Sequence, residues 1–277
     1  MTLQMWDEAK SAPYLKPAIP TDNKYTRGVV TFITGSRKFP GTALLNTQAA
    51  LACGVGMVRY LGSRSVKRLV LLNTPQVVIT EGRTDAFVLG SGVPTNGAWL
   101  TKRKMKSALA EKLPTVLDAG AIFLSPCGHE LTVITPHYGE LRNLLVANGV
   151  KVNVSEIEAN PEQWAKLTAE KFDVTVLLKG NTTFVANPTR VIQLPPAPPQ
   201  LATAGTGDVL AGILGALLAE NKASMSVDNL IEIAATSVLI HSEAAKLVVA
   251  NNAEFSLNLN DLVKKLPTAI AKLHPVT

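Results

Sequence analysis

The sequence predicts an α/β fold in which a mainly parallel sheet carries helices on both faces. Two observations predict this class: short β-branched apolar runs bounded by glycine alternate with longer stretches that have helical spacing, and this alternation continues through both halves of the chain. Apolar residues make up 47% of the 277 residues and charged residues 17%, which is enough apolar side chain for a sizeable core. No change of composition marks a linker. We therefore expect an N-terminal arm, residues 1–27, followed by a single domain, residues 28–277.

The elements of the predicted sheet follow one another in a regular order. The strands are expected at residues 29–33, 57–61, 77–80, 87–89, 115–117, 131–134 and 174–178, with a hairpin at 182–185 and 191–194. The helices are expected at residues 42–53, 96–112, 138–147 and 161–169, and from 209 onward. Since ligands bind beyond the carboxyl ends of strands in open α/β sheets, the loops that follow strands are the informative ones.

Composition and charge exclude several classes of protein. The net charge is +6, and the basic residues are scattered apart from the cluster Lys102, Arg103, Lys104 and Lys106. This cluster falls in a predicted helix with few aromatic neighbours, so we interpret it as a solvated helix face and expect no nucleic-acid partner.

The same analysis predicts a cytoplasmic protein. Cys53 and Cys127 are too few for a thiolate zinc site or a disulfide framework. The acidic N-terminal segment does not resemble a signal peptide, and the longest apolar run, residues 209–219, is too short to span a bilayer.

The strongest chemical signal is a glycine-rich loop, residues 204–208, that runs directly into an apolar helix. The main-chain N–H groups of Thr206, Gly207 and Asp208 are expected to bind a phosphate, helped by the helix dipole. Asp208 lies within reach of such a ligand, and transfer of a phosphoryl group to an alcohol needs an acceptor for the hydroxyl proton. The pattern alone leaves an alternative open, in which Asp208 is only an acidic helix cap.

Other candidate residues follow predicted strands. In residues 135–140, His137 is expected either to hydrogen-bond a ligand or to cap the next helix. Lys179 follows another predicted strand and is expected to contact phosphate or adenosine. Asp118 either positions a magnesium ion through water or caps the next turn. His241 lies in a helical stretch rich in alanine and valine, and we predict that it is packed and hydrogen-bonded rather than catalytic.

Taken in order, these segments resemble the ADP- or ATP-dependent NAD(P)H-hydrate dehydratases, which are related to the YjeF C-terminal domain within the ribokinase-like superfamily. The matching segments are 33–36, 40–45, 54–58, 89–92, 116–119, 135–140, 179–183, 205–208 and His241. The resemblance implies a ribokinase-like fold and the bacterial stand-alone form. The chain departs from the family pattern at Gly120, where a second acid is usual, at Thr206, where serine is commoner, and at Ser91, where proline is often seen.

The resemblance also implies a reaction and a set of site residues. The substrate would be hydrated NADH or NADPH, whose ring hydroxyl is phosphorylated by ADP or ATP with Mg²⁺ before phosphate is lost. Contacts to the hydrate are implied for Ala43, Gly92, His137 and Asp208. Contacts to the nucleotide are implied for Lys179, Gly180, Asn181, Thr182, Thr183, Thr206 and Gly207. No protein ligand to a metal is implied, and a homo-oligomer such as a tetramer is expected.

Two other functions remain open at this level. A ribokinase-like kinase acting on a vitamin-precursor alcohol, of the hydroxymethylpyrimidine or thiazole type, would share the phosphate loop and its aspartate. A non-catalytic nucleotide-binding regulator would share the loop but has no need for the base. Residues 135–140 favour the dehydratase over the kinase, and the intact Asp208 argues against the regulator.

Overall fold

A mainly parallel sheet forms the centre of the structure, a computed structural model that describes residues 3–96, 98–250 and 256–274. Its strands are β1 (Leu3–Met5), β2 (Val29–Ile33), β3 (Met57–Tyr60), β4 (Ala86–Leu89), β5 (Thr115–Leu117), β6 (Thr132–Ile134), β7 (Thr175–Leu178), β8 (Phe184–Ala186) and β9 (Val191–Gln193). Within the described ranges their order is β1-β9-β8-β7-β6-β5-β4-β2-β3. Neighbours are parallel except where β8 pairs antiparallel with β7 and β9. The predicted mainly parallel class and the predicted hairpin are confirmed.

Helices cover both faces of this sheet. They are α1 (Glu8–Ser11), α2 (Gly41–Cys53), α3 (Arg64–Asn73), α4 (Trp99–Leu109), α5 (Tyr138–Ala147), α6 (Val154–Ala159), α7 (Pro161–Phe172), α8 (Thr206–Glu220), α9 (Val227–Val249) and α10 (Leu259–Leu273). Helices α2, α8, α9 and α10 pack on one face, and α4, α5 and α7 on the other. Successive strand residues point to opposite faces of the sheet and so pack into two hydrophobic cores. Val88 and Val116 face α8, whereas Leu89 and Leu117 face the opposite layer.

The strand predicted at residues 77–80 is wrong. Only Val78 pairs with the sheet, through an isolated parallel bridge to Arg59 beside β3. The Arg59 guanidinium donates to the carbonyl oxygens of Thr80 at 2.8 Å and Arg83 at 3.0 Å. Because these carbonyls are turned toward the buried arginine, they do not continue a ladder with β3.

The predicted N-terminal arm contributes to the sheet itself. Strand β1 pairs with β9 in parallel register and forms one edge. Trp6 follows it and is only 3% exposed, with its indole N–H donating to the Ser11 hydroxyl at 3.0 Å. This packing explains why residues before the first central strand are ordered against the core.

The basic cluster lies on α4, as predicted. Met105 and Leu109 face the core, whereas Arg103, Lys104 and Lys106 are exposed to solvent. In the parts of the chain that the structure describes, we find no helix whose length and apolar content would let it cross a bilayer.

Candidate active site

The glycine-rich loop enters α8 through Gly205, which has a φ of 97°. A side chain there would be strained, and its Cβ would lie 2.6 Å from Leu259 Cδ1. The Thr206 hydroxyl donates to the carbonyl oxygens of Leu201 at 2.8 Å and Thr203 at 2.9 Å, so it holds the loop in shape.

Two main-chain N–H groups of this loop are free. The N–H of Thr206 already donates to the Thr203 carbonyl at 3.3 Å, so the prediction that it joins the anion site is wrong. Within the described residues, the N–H groups of Gly207 and Asp208 form no hydrogen bond. Both belong to the first turn of α8, where the helix dipole favours a negative ligand.

Asp208 is held by the facing helix α2. Its Oδ2 accepts from the Thr42 hydroxyl at 3.1 Å, and its main-chain carbonyl accepts from Asn46 Nδ2 at 2.7 Å. Among the described residues, the only hydrogen bond to its carboxylate comes from Thr42 and none comes from a main-chain N–H of α8, so the side chain does not act as a hydrogen-bonding cap. Burial and then the charge of Asp118 raise the pKa of Asp208 to about 6, against the lowering effects of Thr42 and Lys179. The group is therefore ionised at neutral pH yet more basic than an ordinary aspartate, which suits a general base.

A partly buried lysine and a buried aspartate form an ion pair next to this loop. Lys179 Nζ lies 3.2 Å from Asp118 Oδ1 and 3.9 Å from Glu140 Oε2. Burial would lower the pKa of Lys179, but the charges of Asp118 and Glu140 more than offset it and raise the pKa. Asp118 Oδ1 also accepts from the Thr135 hydroxyl at 2.7 Å and makes no cap bond, so its capping alternative is wrong. A Cβ built on Gly207 would lie 3.4 Å from Nζ, which places the ammonium beside the phosphate loop.

A cavity of about 100 Å³ opens beside Gly207. Its lining combines polar residues of the loops with apolar residues of the helices: Lys179, Gly180, Thr183, Ala197, Leu201, Thr206, Gly207, Leu210, Val238, His241 and Ser242. Most of the residues predicted to contact the nucleotide therefore share one cavity. Asn181 and Thr182 belong to the same loop but lie outside this lining.

His241 reaches this cavity from α9. It is 6% exposed and packed, and it interacts by a hydrogen bond with the Thr206 backbone, as predicted, whereas its Nε2 has no hydrogen-bond partner among the described residues. Burial lowers its pKa to about 4, and the interaction with the Thr206 backbone offsets this only partly. The imidazole is therefore neutral at physiological pH.

His137 caps α5. Its Nδ1 accepts from the N–H groups of Gly139 at 3.0 Å and Glu140 at 3.3 Å, while the Glu140 carboxylate accepts from the His137 N–H at 2.9 Å. These bonds form a capping box, as one of the two predicted alternatives required. The side chain remains 60% exposed, so the cap does not hide it from a ligand. Its contact with the hydrate remains a prediction.

The remaining residues predicted to bind the hydrate lie against Thr42. Gly92 has a φ of 65°, and a Cβ built on it would come within 2.7 Å of the Thr42 hydroxyl. Ala43 is 0% exposed in its main chain and side chain together, so its contact with the hydrate remains a prediction. The turn that holds Gly92 thus packs directly on the residue that bonds Asp208.

Gly120 occupies a closed position. A Cβ built there would lie 1.8 Å from the carbonyl oxygen of Val93. The loop from Gly90 to Val93 therefore fills the place where the family usually carries a second acid, and this chain has no room for that side chain.

The described residues do not form a protein-held metal site. Among them, no group of three or more His, Cys, Asp and Glu side chains is arranged to hold a metal ion. The acid closest to the role of a magnesium ligand, Asp118, already accepts hydrogen bonds from Lys179 and Thr135 on Oδ1. This donor set does not fit a resident Mg²⁺.

Thr42 and Asn46 both bond Asp208, a role that the sequence analysis did not assign to them. Both lie on α2, four residues apart, and are 9% and 0% exposed. Polar residues at this spacing on the buried face of an otherwise apolar helix are the signal that would have indicated a buried polar partner.

Comparison with known proteins identifies the family of the chain. The family model described as NAD(P)H-hydrate dehydratase matches residues 30–268. The bifunctional NAD(P)H-hydrate repair enzyme Nnr of Mycobacterium leprae is 34% identical over 267 residues, covering 91% of this chain and 53% of that protein. The chain thus spans about half the length of this relative. The ADP-dependent (S)-NAD(P)H-hydrate dehydratase of Xanthomonas campestris is 27% identical over 280 residues, covering 92% of each chain.

A solved structure gives the same fold. The ADP/ATP-dependent NAD(P)H-hydrate dehydratase of Bacillus subtilis, co-crystallised with ATP and Mg²⁺, superposes with a TM-score of 0.84 over 99% of both chains at 24% identity. This likeness confirms the ribokinase-like architecture. With the extent of the family match, it shows that this chain belongs to the NAD(P)H-hydrate dehydratase family.

Proposed function

We propose that the protein dehydrates hydrated NADH or NADPH, driven by ADP or ATP. The observation that carries this proposal is the position of Asp208 in the first turn of α8, beside the free N–H groups of the loop and the ammonium of Lys179. A base and an anion site that adjoin one another are what phosphoryl transfer to a hydroxyl group requires.

In the proposed reaction, the oxygen of the ring hydroxyl attacks the terminal phosphorus of the nucleotide, and Asp208 accepts the proton of that hydroxyl. The new oxygen–phosphorus bond forms as the bond to the leaving nucleotide breaks. The ring phosphate then departs with the electrons of its carbon–oxygen bond, and a proton leaves the neighbouring ring carbon. The resulting carbon–carbon double bond restores the reduced nicotinamide.

The nucleotide is assigned to the cavity beside Gly207. The N–H groups of Gly207 and Asp208 and the ammonium of Lys179 are the donors available to its phosphates. Apolar side chains of Leu201, Leu210 and Val238 offer a surface for the base. Since the described carboxylates do not hold Mg²⁺, we propose that the ion arrives bound to the nucleotide phosphates.

Replacing Asp208 tests the proposal. Protein, nucleotide, Mg²⁺ and NADH hydrate are mixed, and recovery of the reduced-nicotinamide absorbance is followed with ADP and with ATP. Asp208→Asn should lose about 10²- to 10⁴-fold in rate while nucleotide still raises its melting temperature. An Asp208→Asn protein that keeps more than about a tenth of the wild-type rate would rule out the general-base role. A wild type that shows no recovery, but phosphorylates a vitamin-precursor alcohol, would replace the proposal by the kinase alternative.

Lys179→Ala tests the assignment of the nucleotide. It should weaken binding of ADP or ATP more than binding of the hydrate, as measured by separate titrations. Equal weakening of both ligands would contradict the assignment, because the ammonium would then serve the whole cleft rather than the phosphates.

We further propose a cytoplasmic homo-oligomer, with a tetramer as the expected form. The absence of disulfides supports a reducing compartment, since Cys53 and Cys127 are both free thiols. Light scattering after gel filtration measures the mass of the assembly, and a monomer would contradict this part of the proposal.

A further inference from the structure

Lys179 interacts electrostatically with two aspartates, Asp118 and Asp208, and forms an ion pair with only the first of them. Its Nζ is 3.2 Å from Asp118 Oδ1; the Asp118 side chain is 5% exposed and the Lys179 side chain 23% exposed. In the described part of the chain, Lys179 forms ion pairs with Asp118 and Glu140 and none with Asp208. The Asp208 carboxylate instead receives the neutral hydroxyl of Thr42.

This choice of partner matters for a base. An ammonium paired with Asp208 would favour its ionised form and make it a weaker proton acceptor. Asp118 prevents this in two ways: it occupies the ammonium, and its own negative charge disfavours ionisation of Asp208. Thr135 fixes Asp118 in this position by donating to the same Oδ1 at 2.7 Å.

The surroundings of Asp208 leave few other charges to consider. The Thr42 hydroxyl on α2 donates to its carboxylate. The charges of Asp118, at the end of β5, and Lys179, at the end of β7, act on it electrostatically. His241, from α9, is neutral at physiological pH. At the start of α5, the Glu140 carboxylate lies 3.9 Å from Lys179 Nζ. His137 Nε2 lies 3.6 Å from the same carboxylate.

We propose that Asp118 is a positioning residue that withholds the Lys179 ammonium from Asp208, so that the Asp208 carboxylate stays free to accept the proton of the substrate. This role rests on the proposed function, in which Asp208 is the base. It is distinct from capping the next turn and from holding a metal ion.

The test is Asp118→Asn, which keeps the shape of the side chain and removes its charge. The acidic limb of the pH dependence of kcat/KM for the hydrate should move down by about one pH unit, because loss of the Asp118 charge and the approach of Lys179 both favour ionised Asp208. Asp118→Glu keeps the charge and should hold the limb near its wild-type position. A limb that does not move in Asp118→Asn overturns the proposal.

A matched control separates positioning from structural loss. Asp85 is 9% exposed and pairs with Lys222 at 2.9 Å, but it precedes β4 and so lies at the opposite edge of the sheet. Asp85→Asn removes a partly buried aspartate–lysine pair, together with the ion pair of Asp85 with Arg83 at 3.3 Å, and should leave the acidic limb in place. If it moves the limb equally, general destabilisation explains the effect and the proposal fails.

A crystal structure of Asp118→Asn gives a reading that does not depend on turnover. Lys179 Nζ should lie within about 4 Å of the Asp208 carboxylate, which is ion-pair distance. If Lys179 Nζ lies farther than about 4 Å from the Asp208 carboxylate in this variant, the inference is overturned. Because this readout needs no substrate, it judges the inference even if the wild type has no dehydratase activity, which would refute the proposed function alone.

Discussion

The Thr42 hydroxyl donates to Asp208 Oδ2 across 3.1 Å and so joins the first turn of α2 to the first turn of α8. This bond favours the ionised carboxylate and lowers the pKa of Asp208 against the larger effect of burial. Gly92 packs directly on Thr42, so the same threonine also connects Asp208 to the turn after β4.

Loss of the Thr42 hydroxyl should make Asp208 harder to ionise. In Thr42→Val, the acidic limb of kcat/KM should move up by about half a pH unit to one unit, since a hydrogen bond to the charged form has been removed. A pH–rate profile measures this. Thr42→Ser retains the hydroxyl and should keep the wild-type limb, and a limb that moves down in Thr42→Val would contradict the interpretation.

The two roles of His137 can be separated by a pair of substitutions. His137→Ala removes the cap and should lower the melting temperature by about 2–4 °C, which corresponds to about 1 kcal/mol. His137→Asn keeps a good capping side chain and should restore most of this stability. If His137 also contacts the hydrate, both variants should raise the KM for the hydrate. A normal KM in a stable His137→Asn protein would leave only the capping role.

His241 should show opposite effects on stability and on binding. A buried nitrogen without a hydrogen-bond partner destabilises the free protein, so His241→Leu should raise the melting temperature in the absence of ligand. The same change should weaken nucleotide binding about tenfold, because a hydrogen-bonding group is lost from the cavity wall. Thermal unfolding with and without ADP measures both. An unchanged affinity for ADP would assign His241 to packing alone.

Gly120 should not tolerate any side chain. In Gly120→Ala the new Cβ would lie 1.8 Å from the Val93 carbonyl, so the main chain must move and the melting temperature should fall by about 5 °C or more. Gly41→Ala is the matched control, because a Cβ at Gly41 meets no atom within 4 Å. If Gly120→Ala is as stable as this control, the loop adapts freely and the position is open.

Glu220 should make stability depend on pH. Burial, partly offset by Arg27 at 3.6 Å, raises the pKa of Glu220 to about 8 from 4.5, so the folded state holds a proton that the unfolded state releases. The wild type should therefore lose stability as the pH rises from the pKa of Glu220 in the unfolded state, 4.5, to its pKa in the folded state, about 8. Glu220→Gln does not titrate, and its advantage in melting temperature should grow between about pH 5 and about pH 9. A constant difference would mean that the ion pair with Arg27 keeps Glu220 charged.

Local sequence patterns determined the class of the fold and located the glycine-rich loop that opens α8. The alternation of apolar strands with helices needs only short windows of sequence, and so does a glycine loop that runs into an apolar helix. The strand expected at residues 77–80 shows the limit of such windows, because the carbonyls that follow Val78 are turned toward Arg59.

The partners of the candidate site residues were decided by the tertiary structure. Thr42 and Asp208 are 166 residues apart in sequence, and Asp118 and Lys179 are 61 apart, yet each pair is in hydrogen-bond contact. No periodicity or local propensity specifies which charged group an ammonium chooses, because that choice depends on distances set by the packing of separate strands and helices. The sequence alone therefore predicted a phosphate site at the glycine-rich loop, which stays a prediction, and only the assembled sheet and helices decided how Asp208 is held.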